Sequence, residues 1–236
     1  MNIKETKKIA NKIFGWLSDR EGELLFNLAK NCKGRGVIVE IGSCNGRSTV
    51  WLASGSKSGN KVKIYAIDPH STPSKHQKGK RNKSFEEFKK NIKNAGVDDI
   101  IIPIVKTSEE AAKTFNKPVE LIFIDGDHKY ESVKLDFDLW FPKVINGGIM
   151  AFHDTLSWPG PKKVVDNFVY KSKHFKNVKF VDSITFAQKV EQNTLRDRIK
   201  NRYVLLLKKI SELASKLHLS EPIKDIGKEI IKTLQK

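Results

Sequence analysis

Two kinds of hydrophobic spacing alternate along this chain. Nearly continuous β-branched runs, such as GVIVEIG at 36–42, predict strands buried on both faces. Apolar positions three and four apart, such as Leu24, Leu25 and Leu28, predict helices with one buried side. The order begins with a helix in GWLSDREGELLFNLAK, where Ser18 and Glu21 have the spacing of a capping box. A strand in GVIVEIG leads to a helix in RSTVWLAS, and a strand in KVKIYAID to a helix in SFEEFKKNIKNAG that closes at Gly96. DIIIPIV and VELIFID are strands followed by the helices SEEAAKTF and ESVKLDFDLWFPKV. GGIMAFHD precedes a helix in PKKVVDNFVYKS, and VKFVDSI and TFAQKV close the pattern as an antiparallel strand pair. The alternation predicts an α/β fold. Its core is a doubly wound, mostly parallel seven-stranded sheet with one antiparallel edge strand. N-terminal helices at 1–34 precede the sheet domain at 35–191, and a basic amphipathic helical extension at 192–236 follows it.

Composition narrows the class. A chain of 236 residues with 39% hydrophobic side chains is long and apolar enough for one α/β core. No apolar run approaches the roughly 20 residues of a membrane span, and the N-terminal apolar stretch is too short and interrupted for a signal peptide. Cys32 and Cys44 make neither a disulfide framework nor a metal-ligand spacing. The chain therefore reads as cytoplasmic, with reduced thiols. Charge is the unusual feature: 44 Lys and Arg against 27 Asp and Glu, a formal +17. That balance suits nucleic acid, an anionic membrane or an acidic substrate. It suits a lysine-rich, solubilising surface equally well.

Ligands of open parallel sheets sit beyond the carboxyl ends of the strands. Polar groups collect there: Glu40 and the loop Gly42 to Gly46, then Asp68, then Lys106, Thr107 and Ser108, then Asp125, then His153 and Asp154. Any one of these is as easily a cap or turn residue. All five strand ends together mark a site. The loop lacks the G-x-G-x-x-G of dinucleotide binding, because Ser43 stands where the second glycine belongs, and no G-K-[ST] makes it a phosphate loop. Glu40 would repel a phosphate and suits an amine, while Asp68 is placed to accept both hydroxyls of a ribose. A ribose, an amine and no phosphate describe S-adenosylmethionine (SAM).

VIVEIGSCNGRSTVWLA, IYAIDPH, ELIFIDGDHKYESVKLDFDLWFPKVINGGIMAFHD and the leading GWLSDREGELLFNLA together resemble a class I SAM-dependent methyltransferase. Within that class they are similar to the small O-methyltransferase-like group with an I-D-G-D-H-x-Y signature, related to catechol-type and macrolide-sugar O-methyltransferases. The resemblance covers roughly 14–155. It implies a Rossmann-like sheet in which Gly42 and Gly46 let the backbone approach the cofactor. Glu40 and Ser43 would lie near its methionine end, with Ser48 capping the helix beside it. Asp68 would bind the ribose hydroxyls, Ser108 would lie beside the adenine, and Asp125 next to the reactive methyl.

The fourth and fifth strand ends bring Asp125, Asp127, His128, His153 and Asp154 near one another. Methyl transfer to a hydroxyl needs an aligned oxygen and a way to remove its proton. Carboxylates with an imidazole suit Mg2+ or Mn2+, and acids at these strand ends bind such a metal in related O-methyltransferases. The expected ligands are Asp125 and Asp154, with His153 as the third, and the expected base is His128, with Asp127 second. Without a metal, His128 or His153 is left as an unaided base. The plain alternative for Asp127 is a cap on the helix near Tyr130.

The acceptor follows from what is missing. No N/D-P-P-Y/F motif for nitrogen methylation occurs, and neither cysteine follows the fourth or fifth strand. A hydroxyl on a small molecule remains, a sugar or glycan precursor. An RNA methyltransferase, favoured by charge, and a non-catalytic SAM-binding protein stay open. The segment at 71–83 holds five cations and no acid, and reads as a contact for an anionic acceptor or as a solvated loop. In the tail, Ile199, Tyr203, Leu206, Ile210, Leu213 and Leu217 form a heptad seam among basic residues. Pro222 separates it from a second amphipathic helix. The seam can pack on its own domain, pair with a second subunit, or lie on an anionic membrane.

Overall fold

The computed structural model describes residues 1–71, 83–215 and 221–235. Seven strands form one sheet: β1 (Val37–Ile41), β2 (Ile64–Ile67), β3 (Ile101–Ile104), β4 (Val119–Ile124), β5 (Val144–Phe152), β6 (Phe175–Val181) and β7 (Ile184–Lys189). Their order is β3-β2-β1-β4-β5-β7-β6. The pairs among β1 to β5 are parallel, and β7 runs antiparallel to both β5 and β6. The antiparallel strand is thus β7, one place in from the edge strand β6.

Nine helices are described: α1 (Ile3–Ala10), α2 (Asp19–Lys30), α3 (Arg47–Lys57), α4 (Lys83–Asn94), α5 (Ser108–Thr114), α6 (Tyr130–Trp140), α7 (Pro159–Phe168), α8 (Leu195–Ser215) and α9 (Glu221–Leu234). Successive strand residues point to opposite faces. Val39, Ile41, Ile122, Ile124, Met150 and Phe152 enter one core, shared with α5 to α8. Ile38, Leu121, Phe123, Ala151 and Ile64 enter the other, shared with α1 to α4. Apolar residues at both parities explain the continuous runs seen in the sequence.

α2 starts at the predicted capping box. The Ser18 hydroxyl accepts from the Glu21 amide, and the Ser18 amide donates to Glu21 Oε2 at 2.8 Å. The C-terminal helices close the free edge of β6. Asn201 of α8 donates to the Phe175 carbonyl at 2.9 Å, and the Gln235 amide, just past α9, bonds both the N–H (2.7 Å) and the C=O (3.1 Å) of Phe180. An edge covered in this way offers no template for another strand.

α8 does pack on its own domain, but not through the heptad seam. Asn201, Val204, Leu205, Leu207 and Lys208 are buried, whereas Ile199, Tyr203, Leu206, Ile210 and Leu213 are exposed. Leu217 and nearly all of the basic segment at 71–83 lie outside the described residues.

Candidate functional site

The loop after β1 is built on close backbone contact. Gly42 has φ 87°, and a Cβ there would lie 2.1 Å from the Asp125 carbonyl oxygen. Only glycine allows both. This contact locks the end of β1 against the end of β4. Gly46 (φ 89°) is the N-cap of α3 and leaves that helix start with no side-chain cap. Exposed helix N–H groups favour negative charge or hydrogen-bond acceptors.

Asp68 is fixed beside this loop. Its Oδ2 accepts from the Cys44 amide at 2.8 Å and its Oδ1 from the His70 amide at 2.7 Å. A carboxylate has about four lone-pair positions, so acceptor capacity remains for a pair of hydroxyls.

Glu40 is fully buried, and its Oε2 accepts from the Thr49 hydroxyl at 2.5 Å. Its Oε1 and the Ser43 hydroxyl are buried with no partner. Two orphaned polar atoms at this loop fit the ammonium of a methionyl group. Burial pushes the Glu40 carboxyl up to about 7, against the opposing hydroxyls of Ser48 and Thr49. Gly46, not Ser48, is the N-cap of α3, and that cap has no side-chain hydrogen bond, whereas the sequence suggests Ser48 as a helix cap.

Ser108 opens α5, just beyond the end of β3. Thr107 is the cap of α5, paired with Glu110, and the Ser108 hydroxyl accepts from the Trp140 indole at 2.8 Å. Asp127 is occupied by its own turn, accepting from the His128 amide and the Ser132 hydroxyl.

The ends of β4 and β5 bring the remaining candidates together. His128 Nε2 lies 2.9 Å from Asp154 Oδ2, and the ring stacks on Trp158 with centroids 4.4 Å apart. Hydrogen bonding to Asp154 raises the His128 pKa. His153 Nδ1 lies 3.1 Å from Asp125 Oδ1 and 3.2 Å from Asp154 Oδ2. Its Nε2 faces Glu21 Oε2 at 3.4 Å. Burial opposes charging of this ring, but Asp125, Asp154 and Glu21 outweigh it and push the pKa up to about 12. His153 thus lies among three carboxylates that favour its charged form. Burial raises the Asp125 pKa. Burial also acts to raise Asp154, yet hydrogen bonds from His128 and His153 hold it well below the usual carboxylate range. Asp154 has φ 58°, a backbone form that Asp tolerates better than most residues.

One donor atom each from Asp125, His128 and Asp154 lies within 4.8 Å of the others, a spacing suited to a metal ion. The imidazole of this set is His128. His153, the third ligand expected from the sequence, has its Nδ1 turned to the two carboxylates and its Nε2 to Glu21 instead.

Glu21 was missed. It is 3% exposed, and while Oε2 caps α2 and faces His153, Oε1 accepts from the amide and hydroxyl of Ser183. The capping box gave it a complete role in the sequence. Only the docking of α2 against the β5 and β7 ends shows the second one.

Residues 39–155 match the family described as "Methyltransferase domain". An uncharacterized protein of Acanthamoeba polyphaga mimivirus is 30% identical over 156 residues, which is 64% of this chain and 66% of the viral one, slightly less than two thirds of its length. Among solved structures, the O-methyltransferase NovP superposes with a TM-score of 0.61 at 18% identity, over 75% of this chain and 84% of that one. The O-methyltransferase TomG of Streptomyces achromogenes, involved in tomaymycin synthesis and solved with SAM, gives 0.56 at 16%, over 80% and 89%. The matched segment holds the β1 loop, Asp68 and all three donors of the Asp125–His128–Asp154 cluster, so the residues gathered at the strand ends fall within the part of the chain, 39–155, that is similar to a methyltransferase domain.

Proposed function

We propose that the chain methylates a hydroxyl oxygen of a small acceptor, with Asp125, His128 and Asp154 able to hold Mg2+ or Mn2+. The donor set of those three residues beside the cofactor loop carries this reading. The O-methyltransferase names of NovP and TomG support the oxygen acceptor.

SAM, when bound, supplies an electrophilic methyl on a sulfonium. A divalent cation, when bound, would supply positive charge that favours an ionised acceptor oxygen. The chain's own residues do the rest. Gly42 and Gly46 admit the cofactor, Glu40 and Ser43 face its amine, and Asp68 takes its ribose. The His153 imidazolium offsets the repulsion between Asp125 and Asp154 and fixes their orientation. His128 stands where it can take the acceptor proton or serve as a ligand.

A sugar or glycan precursor is the acceptor class we favour, from the missing nitrogen- and cytosine-methylation signatures. Transfer of labelled methyl to a panel of hydroxylated sugars, with Mg2+ present, tests it. Base-stable label in the sugar is expected. Tight, salt-resistant binding of a defined RNA, with label in the RNA, would replace this reading with an RNA methyltransferase, because phosphate-driven binding alone falls steeply with salt. SAM binding with no transfer to any hydroxylated acceptor would favour a non-catalytic role.

Glu40 gives this reading a pH signature. Its carboxyl in the free site is held up to about 7. Below that pH it is neutral and cannot pair with an ammonium, so cofactor binding must first release a proton. Affinity for SAM should therefore rise with pH through 7 and fall by up to about tenfold per unit below it. Glu40→Gln should flatten that dependence. An equally steep profile in the variant, read by calorimetry, would remove Glu40 from the amine site.

A further inference from the structure

The outer face of α8 has no role in the fold described above. Leu195, Ile199, Tyr203, Leu206, Ile210 and Leu213 form one stripe along it, each 41% or more exposed. They recur at three and four residues, so they share a side of the helix. The opposite side, Asn201, Val204, Leu205 and Lys208, is buried against the domain. α8 is therefore apolar on two opposed sides, and among the described residues only one is covered.

Charge identifies what covers the other. At about 100° per residue, Arg202 and Lys209 run along one flank of the stripe and Arg196 along the other. All three are exposed. The helix has two acids within 195–213, and neither serves the outer face. Asp197 accepts from the amide and hydroxyl of Thr194 at the helix start, and Glu212 pairs with Lys162 of α7. A second copy of this face would bring Arg202 and Lys209 against like charges, with no carboxylate to answer them. α9 adds exposed Ile226, Ile230 and Leu234 to the same extension. No helix among the described residues is long and apolar enough to cross a membrane.

We propose that α8 docks this face on an anionic lipid surface. The helix lies in the plane of the headgroups, its stripe reaches the acyl boundary, and its flanking Arg and Lys side chains meet the lipid phosphates. The inference stands on α8 alone and does not depend on methyl transfer.

Flotation of the full chain with two kinds of vesicle tests it. One is phosphatidylcholine alone, and the other contains phosphatidylserine at about one lipid in three. Binding is expected to the anionic vesicles only, and should weaken as salt screens the headgroups. The double variant Leu206→Glu with Ile210→Glu should lose about tenfold or more of that binding. Both sites are exposed, so its melting temperature should match the wild type. Arg202→Glu with Lys209→Glu, which spares the apolar stripe, should weaken binding as well. No binding to anionic vesicles at low salt would overturn the proposal. So would equal binding by the Leu206 and Ile210 variant, which would reduce the effect to unspecific charge. So would a dimer in sedimentation velocity that this variant dissolves, which would make a second copy the occupant.

Discussion

Asp154→Asn should lower methyl transfer by about 10²-fold or more and leave SAM affinity within about twofold. Asparagine keeps the shape of Asp154 and tolerates its left-handed φ of 58°, so the β5 turn survives. What is lost is charge. His128 loses its carboxylate partner at 2.9 Å, and His153 loses one of the three acids that hold it charged. The donor set keeps Asp125 and His128 but has one anion fewer for a cation. EDTA should act in the same way, and Mg2+ or Mn2+ should restore the rate. His128→Ala separates the two roles open to that ring. Reduced turnover with metal content unchanged makes it the base, and loss of the metal makes it a ligand. Full activity in EDTA would take the cation out of the account and leave His128 as an unaided base.

Gly42→Ala should abolish measurable SAM binding and lower the melting temperature strongly. Two costs add. A φ of 87° is strained for any side chain, by roughly 1–2 kcal/mol. The new Cβ would also meet the Asp125 carbonyl oxygen at 2.1 Å, and a backbone atom cannot swing aside as a flexible side chain does. The β1 loop must then separate from the end of β4, moving Glu40, Ser43 and Asp125 relative to one another. A variant that binds SAM as the wild type does would show that the loop accommodates this movement, and that its geometry is not what the cofactor needs.

The sequence was most legible where local rules decide. Apolar runs, continuous in β1 and β4 and interspersed with polar residues in β6 and β7, marked the strands, and Ser18 with Glu21 marked the start of α2. The strand-end rule gathered Glu40, Asp68, Asp125, His153 and Asp154 before any geometry was known. It failed where the outcome depends on which surfaces meet. Glu21 reaches His153 and Ser183 only because α2 docks across the ends of β5 and β7, more than a hundred positions away in the chain. His153 and His128 look alike in the sequence. They differ because burial among three acids turns one into a fixed imidazolium, whereas the other faces Trp158 and Asp154. The tail shows the same limit. A heptad seam announces an apolar stripe but cannot say which side of a doubly apolar helix will be buried, and here the less regular side was chosen. Ser108 is a small hydroxyl whose partner, Trp140, no spacing rule foretells.

The central claim is that the loop after β1 and Asp68 hold SAM. Calorimetric titration of the wild-type chain at about pH 8, above the titration of Glu40, tests it most directly. The account predicts one SAM bound per chain, binding of S-adenosylhomocysteine at the same site, and no binding of NADH. NADH binding with neither SAM nor S-adenosylhomocysteine bound would contradict it.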